Sequence, residues 1–353
     1  MHVFKNLLCL THGRKKNLMD FPMEMKFLLD VEGFQKIVFL HAALTLGIFE
    51  EIIYTPKSAS QLAKKLHLTK AALLPLLSGL KHLHYVDEHR NGYSLTRFSS
   101  LFLVKERENY LGDYISLFIA TWCSWINLPE VIKSGQPNKH MRLLHNKSNV
   151  VLHYYLAANA IIRQASSELL AQIDLSRVKK IIAGEVGITF ISELLRVKPE
   201  VSFAIASLKE HKHFFPKLFQ RYPLPKKPDK FVYSTKGEAL KDMWGEKSEY
   251  DLVFLYRKLA FYSYGRQFLE KAHRLLPKGG YVIICEPTTD SFLHFMPWLL
   301  DAIQIMDMMI GGKDAPKLLS SSEIQTKLKA IGFTRTKVIP AVFGVFNFVL
   351  GIK

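Results

Sequence analysis

Residues 179–199, KKIIAGEVGITFISELLRVKP, decide the fold of this chain. A short apolar run, Ile181 to Ala183, is followed by Gly184 and Gly187 and then by an amphipathic stretch from Phe190 to Val197. This pattern predicts a strand, a glycine-containing turn and a helix, in the order that opens a nucleotide-binding α/β unit. Because amide groups at the start of such a helix attract anions, the turn is a candidate binding site.

Further apolar runs along the chain follow the same strand pattern. They cover Val201–Ala206, Asp251–Leu255 and Tyr281–Cys285, with helical stretches between them. This alternation predicts a parallel, doubly wound sheet. Near the C-terminus, Phe333–Ile339 and Val345–Gly351 predict two more strands that pair antiparallel. The predicted fold class is therefore α/β, with a Rossmann-like domain that ends in an antiparallel hairpin.

The composition is that of a globular protein without a disulfide framework. The chain has 353 residues, 48% of them hydrophobic, which is enough for two or three domains with cores of their own. Cys9, Cys123 and Cys285 are scattered and form no CxxC pair. We therefore expect neither disulfides nor a zinc site, and the sequence predicts no metal ligands.

One long apolar stretch, residues 292–310, has the length of a membrane span but carries Asp301 and Asp307. An aspartate in the middle of a span is costly, so a buried helix is favoured over a membrane segment. The apolar part of residues 2–10 is too short for a secretory signal. These features lead us to expect a cytoplasmic protein without a membrane span.

The formal net charge of +17 allows two interpretations. A basic protein can bind nucleic acid or another anionic surface. Here the basic residues are spread in short pairs, such as Lys64-Lys65, Lys179-Lys180 and Lys226-Lys227, without a dense basic run or an arginine-rich arm. We therefore favour solvated surface charge over a nucleic-acid interface.

The N-terminal region contains a series of short elements. Apolar residues recur at helical spacing from Glu32 to Ile53, and Ser58 or Ser60 is predicted to cap the helix that follows. A second helix is predicted from Lys70 to Leu83, followed by a β-hairpin that turns at Asn91-Gly92. Helix, turn, helix and hairpin in this order predict a winged helix.

The predicted winged helix is better suited to contact a protein than DNA. Its second helix, KAALLPLLSGLKHL, is almost entirely apolar and offers few groups that could bind bases or phosphates. The apolar faces of Phe34–Phe49 and Leu73–Leu83 exceed what a small domain can cover by itself. We therefore expect a homodimer that forms through these two faces.

With these parts in order, the chain resembles the small-molecule O-methyltransferases of the plant caffeate and animal hydroxyindole type. The resemblance covers about residues 30–353. It rests on the order of the elements and on several short stretches: Tyr250-Asp251-Leu252-Val253-Phe254, Leu276-Pro277-Lys278-Gly279-Gly280, Tyr281 to Glu286, Gly311-Gly312-Lys313-Asp314 and Ala330-Ile331-Gly332-Phe333.

The resemblance implies an N-terminal winged-helix dimerisation domain and a C-terminal class I methyltransferase domain that binds S-adenosylmethionine. On this basis, residues 1–25 form a poorly specified arm, 26–110 the dimerisation domain, 111–165 a helical connector that lines the pocket and 166–353 the methyltransferase domain. The implied activity is methyl transfer to a small aromatic hydroxyl compound.

The cofactor loop departs from the family pattern of an acidic residue, an apolar residue, three glycines, a threonine and a glycine. The acidic position falls on Ile181 or Ile182, and of the glycines at most two, Gly184 and Gly187, remain as cofactor-binding residues. Glu185 is expected to bring a carboxylate close to that of the cofactor, where like charges repel.

The family also uses an acidic residue at the end of the second strand to bind both ribose hydroxyls. The matching cofactor-binding position is Ser207, which holds at most one strong hydrogen bond. The missing charge would weaken cofactor binding by about one to two orders of magnitude. On this reasoning, Ser207→Asp is predicted to strengthen S-adenosylmethionine binding roughly tenfold.

The third departure concerns the catalytic base. In the family a histidine takes the substrate proton, and the matching position is Ala260. An imidazole typically contributes about 10²–10⁴-fold in rate, which alanine cannot supply. The residues implied to flank the base are present as Glu286 and Asp314. Three residues could replace the base, but a surface or core position is the favoured explanation for each of them: His294, Tyr262 and His273.

Aromatic and methionine side chains predict the substrate pocket, because such residues accept flat apolar ligands. Core packing explains the same residues without a ligand. The candidates are Phe118, Trp122, Trp125, Phe295, Trp298, Met306 and Met309.

Three functions remain open from the sequence. The first is S-adenosylmethionine-dependent O-methylation of a small aromatic hydroxyl compound, impaired in the base-assisted step. The second is a pseudoenzyme, a dimeric module that binds a ligand or a protein, because loop, ribose acid and base all depart from the family pattern. The third is a winged-helix nucleic-acid binder, which the apolar second helix disfavours.

Overall fold

The structure, a computed structural model, describes residues 23–138, 149–234, 245–259, 265–291, 296–315, 317–341 and 346–353. Four residues singled out above, Ala260, Tyr262, His294 and Phe295, lie outside the described residues, as do residues 1–22 of the predicted arm. The chain divides into two compact units between Ser100 and Leu101. The finer domain bounds given above remain predictions.

The first unit consists of helices and a two-stranded hairpin. Its helices are α1 (Met23–Thr45), α2 (Ile48–Glu51), α3 (Ala59–Lys65) and α4 (Lys70–His82), its strands are β1 (Val86–His89) and β2 (Gly92–Leu95), and α5 (Arg97–Phe102) continues into the second unit. Ser58 caps α3 in a capping box: its hydroxyl accepts from the Gln61 amide at 3.3 Å, and the Gln61 side chain accepts from the Ser58 amide at 2.8 Å. Helix, helix and hairpin therefore follow in the predicted order, with Ser58 rather than Ser60 as the cap.

The hairpin turns one residue earlier than predicted. His89 pairs with Gly92, so Arg90 and Asn91 form the loop. Gly92 has a φ of +126°, and a Cβ at this position would lie 2.3 Å from the carbonyl carbon of Lys57. Glycine is therefore required here, both for its backbone conformation and for the close approach of another segment.

Helix α1 exposes much of its apolar surface. Only Leu40 and Ala43 of its residues are buried. Its exposed large apolar side chains are Met23, Met25, Phe27, Leu28, Leu29, Val31, Phe34 and Val38. A contiguous apolar face of this kind marks an interaction surface.

The second unit is an α/β domain. Its strands are β3 (Lys180–Gly184), β4 (Ser202–Leu208), β5 (Lys230–Ser234), β6 (Leu252–Tyr256), β7 (Tyr281–Glu286), β8 (Arg335–Pro340) and β9 (Asn347–Ile352). Its helices are α6 (Gly112–Ile126), α7 (Leu128–Ser134), α8 (Asn149–Leu170), α9 (Ile188–Val197), α10 (Phe215–Arg221), α11 (Gly265–Leu275), α12 (Pro297–Gly311) and α13 (Ser321–Ile331).

The sheet confirms the predicted topology. Its strand order is β5-β4-β3-β6-β7-β9-β8, with β3 parallel to both β4 and β6. The last two strands pair antiparallel with each other, and β9 also pairs antiparallel with β7. The winding therefore reverses between β3 and β6, and sheets of this kind bind ligands outside the carboxyl ends of their strands at that point.

Asp251, in the first of the quoted stretches, has a structural role. Its carboxylate accepts from the amides of Lys179 and Lys180 at 2.8 and 2.9 Å, which joins the start of β6 to the start of β3. On the sheet face covered by α9, Phe190 stacks on Phe254 with their ring centres 5.0 Å apart. These contacts place the turn after β3 against the middle of the sheet.

The predicted buried helix at residues 292–310 corresponds to α12, and it is buried on one side only. Asp307 and Met309 are buried, whereas Trp298 is 65% exposed. Within the described ranges, no single helix is long and apolar enough to cross a membrane; α6 and α7 meet that standard only as a pair, with a bend of 54° between them.

Candidate functional site

The two glycines after β3 have different structural roles. Gly184 precedes a single 3₁₀ turn, Glu185–Gly187, and Gly187 is its last residue; both glycines have negative φ values, of −84° and −85°. A Cβ at Gly184 would meet only the carbonyl oxygen of Ala206, at 3.7 Å. A Cβ at Gly187 would lie 2.5 Å from that of Ala183. Gly187 therefore lets α9 pack closely on β3, while Gly184 leaves an open approach to the backbone.

The side chain of Glu185 points to the end of β4. Its Oε1 accepts a hydrogen bond of 2.6 Å from the hydroxyl of Ser207, and both residues are buried. The carboxylate therefore lies beside Ser207, the residue for which the resemblance predicts a ribose contact, and its predicted proximity to the carboxylate of a cofactor stays a prediction. Glu185 and Ser207 therefore form one polar group at the carboxyl edge of the sheet.

Further polar side chains hold this turn in place. Asn159 of α8 donates to the carbonyl oxygen of Glu185 at 2.8 Å and accepts from the amide of Thr189 at 3.2 Å. His211 Nδ1 is hydrogen-bonded to the hydroxyl of Tyr155 at 2.7 Å and lies 3.8 Å from Glu185 Oε1. His211 Nε2 is buried and has no hydrogen-bond partner among the described residues. The network fixes both the backbone and the side chain of Glu185.

The carboxyl group of Glu185 is ionised at neutral pH despite its burial. Burial alone would raise its pKa, but the contact with His211, the positive charge of Lys258 and the hydrogen bond from Ser207 outweigh that effect and lower the pKa. A fixed negative charge therefore lies at the end of β4.

Glu286, one of the two residues that the resemblance implies beside the base, contacts the backbone of Leu259. It ends β7, it is buried, and its Oε1 accepts from the amide of Leu259 at 2.7 Å. Leu259 immediately precedes Ala260. The backbone of Asp314 belongs to a short 3₁₀ turn, Gly312–Asp314, but its side chain is outside what the structure describes. Of the two implied flanking residues, Glu286 is thus placed beside Leu259, the last described residue before position 260.

His273 does not lie at the carboxyl edge of the sheet. It is on α11, and its ring packs against Phe333 with a centroid distance of 5.2 Å. Its carbonyl oxygen accepts from Lys353 at the end of the chain. This position, near the amino ends of the parallel strands, makes His273 a packing residue rather than a replacement base.

A largely apolar cavity of about 180 Å³ lies between α6, α8, α12 and the carboxyl end of β6. Of the predicted pocket residues, Phe118, Trp125 and Met306 line it. Trp122, Trp298 and Met309 are not among its lining residues. The lining consists of Tyr114, Leu117, Phe118, Trp125, Tyr154, Ala157, Ala158, Ile161, Tyr256, Arg257, Leu299, Ala302, Ile303, Met306 and Phe346.

A buried ion pair that we did not predict lies at this cavity. Arg257, which lines it, follows β6 with an unusual φ of +48°. Its guanidinium donates to Asp307 Oδ1 on α12, and both residues are buried. Burial raises the pKa of Asp307, and the charge of Arg257 offsets part of that effect. The sequence signal was Asp307 itself, since an aspartate within an apolar helix needs a partner.

In the described part of the chain, no cluster of three or more histidine, cysteine, aspartate or glutamate side chains could hold a metal ion.

The polar groups described above at the carboxyl edge of the sheet form two separate sets. One is the Glu185–Ser207 pair near His211, and the other is Glu286 with the Arg257–Asp307 pair at the cavity.

Comparisons with known proteins agree with this architecture. Residues 30–105 match the family model of the O-methyltransferase dimerisation domain. No curated protein sequence matches the chain significantly.

Solved structures extend the similarity over almost the whole chain. Human N-acetylserotonin methyltransferase in complex with S-adenosylmethionine has a TM-score of 0.75 at 16% identity, with 97% of this chain and 99% of that chain covered. An O-methyltransferase family protein from Burkholderia thailandensis gives 0.70 at 17% identity, covering 94% and 98%. A methyltransferase of calicheamicin biosynthesis with bound S-adenosylhomocysteine gives 0.68 at 15% identity, covering 94% and 98%. This chain therefore contains a segment, residues 30–105, that matches the O-methyltransferase dimerisation domain, and it shares the fold of these solved methyltransferase structures.

Proposed function

We propose that the protein binds S-adenosylmethionine at the carboxyl edge of the sheet, binds a small aromatic hydroxyl compound in the adjoining cavity and assembles as a homodimer. The observation that carries this proposal is the apolar cavity at the end of β6, in a chain with the O-methyltransferase fold. Two of the three similar structures described above contain S-adenosylmethionine or S-adenosylhomocysteine.

The residues at the turn after β3 are compatible with this cofactor. The open backbone at Gly184 permits close approach of a ligand. Glu185 and Ser207 form a negatively charged polar group at the end of β4, and this group can accept hydrogen bonds from hydroxyl donors. When bound, S-adenosylmethionine supplies an electrophilic methyl group, whose transfer requires a closely aligned acceptor oxygen.

The cavity sets the size and polarity of the second ligand. An apolar cavity of about 150 Å³ is known to hold benzene, so the cavity of about 180 Å³ suits a compound with one aromatic ring and small substituents. Tyr114, Phe118 and Trp125 offer aromatic surfaces to such a ring. Arg257 is neutralised by Asp307, which favours a neutral ligand over a charged one.

Position 260 argues for weak or absent base-assisted transfer. Alanine holds no proton acceptor, so a phenol must lose its proton in another way. A second function is therefore supported by this one residue: a pseudoenzyme that binds the cofactor or an aromatic ligand without methyl transfer. The fold and the cavity are common to both proposals.

Isothermal titration with S-adenosylmethionine and S-adenosylhomocysteine tests the proposed function. Micromolar binding of either compound supports the cofactor site, and a methyl-transfer assay with monocyclic phenols then separates the enzyme from the pseudoenzyme. The absence of heat at high ligand concentration, with a folded protein, would reject the cofactor site.

A further inference from the structure

The carboxylate of Glu185 lies where a nucleoside-binding sheet normally presents an acid. In doubly wound folds, an acidic residue about 20 positions after the glycine turn binds the ribose. Ser207 occupies this position in β4, but its hydroxyl donates to Glu185 Oε1 at 2.6 Å. The turn after β3 therefore places a carboxylate, that of Glu185, at the strand end where β4 itself has none.

We propose that Glu185 accepts the ribose hydroxyls of the cofactor and that Ser207 is a positioning residue for its carboxylate. This inference rests on the proposed function, since it requires S-adenosylmethionine to bind at this edge. An ionised carboxylate accepts several hydrogen bonds, of which Ser207 supplies one. The hydroxyls of a ribose are further donors for the same group, and hydrogen bonds to a charged acceptor are the strong ones.

The surroundings prepare this carboxylate before a ligand binds. Asn159 bonds to the backbone on both sides of the turn, through the carbonyl of Glu185 and the amide of Thr189. His211 lies 3.8 Å from the carboxylate on the side of the 3₁₀ segment that follows β4. A group that is already ordered loses little entropy on binding, so it can contribute most of its hydrogen-bond energy to affinity.

The competing interpretation is that the Glu185 side chain fills the ribose site and excludes the cofactor. The hydrogen bond to Ser207 favours the acceptor role, because it holds the carboxylate at the strand end, where the carboxylate can accept further hydrogen bonds. The two interpretations predict opposite effects on affinity when the whole side chain is removed, as in Glu185→Gly.

A first experiment compares two ligands by isothermal titration. S-adenosylhomocysteine is titrated beside its 2′-deoxyribose analogue into the full chain and into Glu185→Gln, which keeps the size of the side chain and removes its charge. We expect Glu185→Gln to weaken binding of S-adenosylhomocysteine roughly ten- to hundredfold and binding of the deoxy analogue much less. The control is Glu270→Gln on α11, an exposed partner of Arg266, which should change neither affinity.

A second experiment moves the carboxylate from the turn to the strand. Ser207→Asp alone should weaken binding, because the new carboxylate would face Glu185 at hydrogen-bond distance and like charges repel. This expectation reverses the tenfold gain that the sequence predicted for the same change. Glu185→Gly combined with Ser207→Asp should restore affinity to within about threefold of the natural protein, since one acid again serves the ribose.

The outcomes separate this inference from the proposed function. If the natural protein binds S-adenosylhomocysteine and Glu185→Gln or Glu185→Gly binds it equally well or more tightly, the acceptor role is overturned while the cofactor site stands. A deoxy analogue that binds the natural protein as tightly as the ribose compound would also overturn it. If the natural protein binds neither compound, both the proposed function and this inference are rejected.

Discussion

At the residue scale, Asp307 is the partner that makes a buried guanidinium tolerable beside an apolar cavity. Arg257 and Asp307 are both almost fully buried, and their side chains are hydrogen-bonded. Removing one member of such a pair leaves an uncompensated charge in a medium of low polarity. We therefore expect Asp307→Asn to lower the free energy of unfolding by about 3 kcal/mol or more.

Urea unfolding of the variant and of a matched control checks this prediction. Glu270→Gln disrupts an exposed pair with Arg266 and should cost less than about 1 kcal/mol. Equal losses for the two variants would show that the buried pair has no special role in stability.

If position 260 corresponds to the catalytic base of the family that the chain resembles, the residue there determines how any methyl transfer depends on pH. A phenol with a pKa near ~10 is mostly protonated at neutral pH and is then a poor nucleophile. With alanine at the base position, we expect no detectable phenol methylation at pH 7 and a rate that rises with pH as the phenol ionises in solution. Initial rates between neutral and alkaline pH measure this, and an optimum near pH 7 in the natural protein would contradict it.

The reciprocal change tests the inherited environment of that position. Glu286 accepts from the amide of Leu259, which precedes Ala260 in the sequence, and the resemblance implies that this carboxylate flanks the base. We expect Ala260→His to move the onset of activity toward neutral pH if the cofactor binds. Ala260→Phe is the control that adds a ring without a basic nitrogen.

Residue roles at this site were only partly predictable from the sequence. That a serine stands at the end of β4, where the family has an acidic residue, is a prediction from the resemblance and from spacing along the chain. That Glu185 reaches the same point depends on the 3₁₀ geometry of the turn, which spacing does not encode. Similarly, the sequence shows Asp307 as a charged residue within an apolar run. Its partner Arg257 could not be predicted, because it follows a strand that is distant in the sequence.

At the element scale, the strand–turn–helix unit around β3 contains one glycine that packing requires, Gly187, and one with open space beside it, Gly184. A Cβ at Gly187 would lie 2.5 Å from the Cβ of Ala183, so α9 would have to move away from β3. We expect Gly187→Ala to destabilise the protein by about 1–3 kcal/mol. Gly184→Ala introduces only an ordinary contact with Ala206 and should leave stability almost unchanged.

Thermal unfolding and cofactor titration together test this pair of variants. Gly187→Ala should lower the melting temperature, whereas Gly184→Ala should keep it and weaken S-adenosylhomocysteine binding, because a methyl group then occupies the approach to the backbone. Undiminished binding by Gly184→Ala would place the ligand away from this turn.

The elements themselves were predictable because their periodic patterns are strong. All the strands predicted for the α/β domain are present within a few residues, since buried parallel strands read as continuous apolar runs. Helix α12 was less predictable, because an apolar composition does not show which faces other elements cover. Its exposed Trp298 and buried Asp307 are the reverse of what hydrophobicity suggests.

At the scale of the whole molecule, helix α1 exposes an apolar face that no other part of the described chain covers. Phe34 is 48% exposed and Val38 is 43% exposed, in a segment that matches an O-methyltransferase dimerisation domain. Burying such a face against a second copy would remove it from water, and obligate interfaces of this kind bury upwards of ~2,000 Å² in total. A homodimer through α1 accounts for both observations.

The dimer prediction can be tested with two neighbouring positions on α1. Val38→Glu places a charge on the apolar face and should convert the dimer to a monomer at micromolar concentration, because an unpaired carboxylate is costly to bury. Gln35→Glu adds the same charge at an exposed polar position of the same helix and should leave the dimer intact. Light scattering coupled to size-exclusion chromatography gives the mass of each variant. A natural protein that is already monomeric, or a Val38→Glu variant that remains dimeric, would show that the partner of this face is not a second copy of the chain.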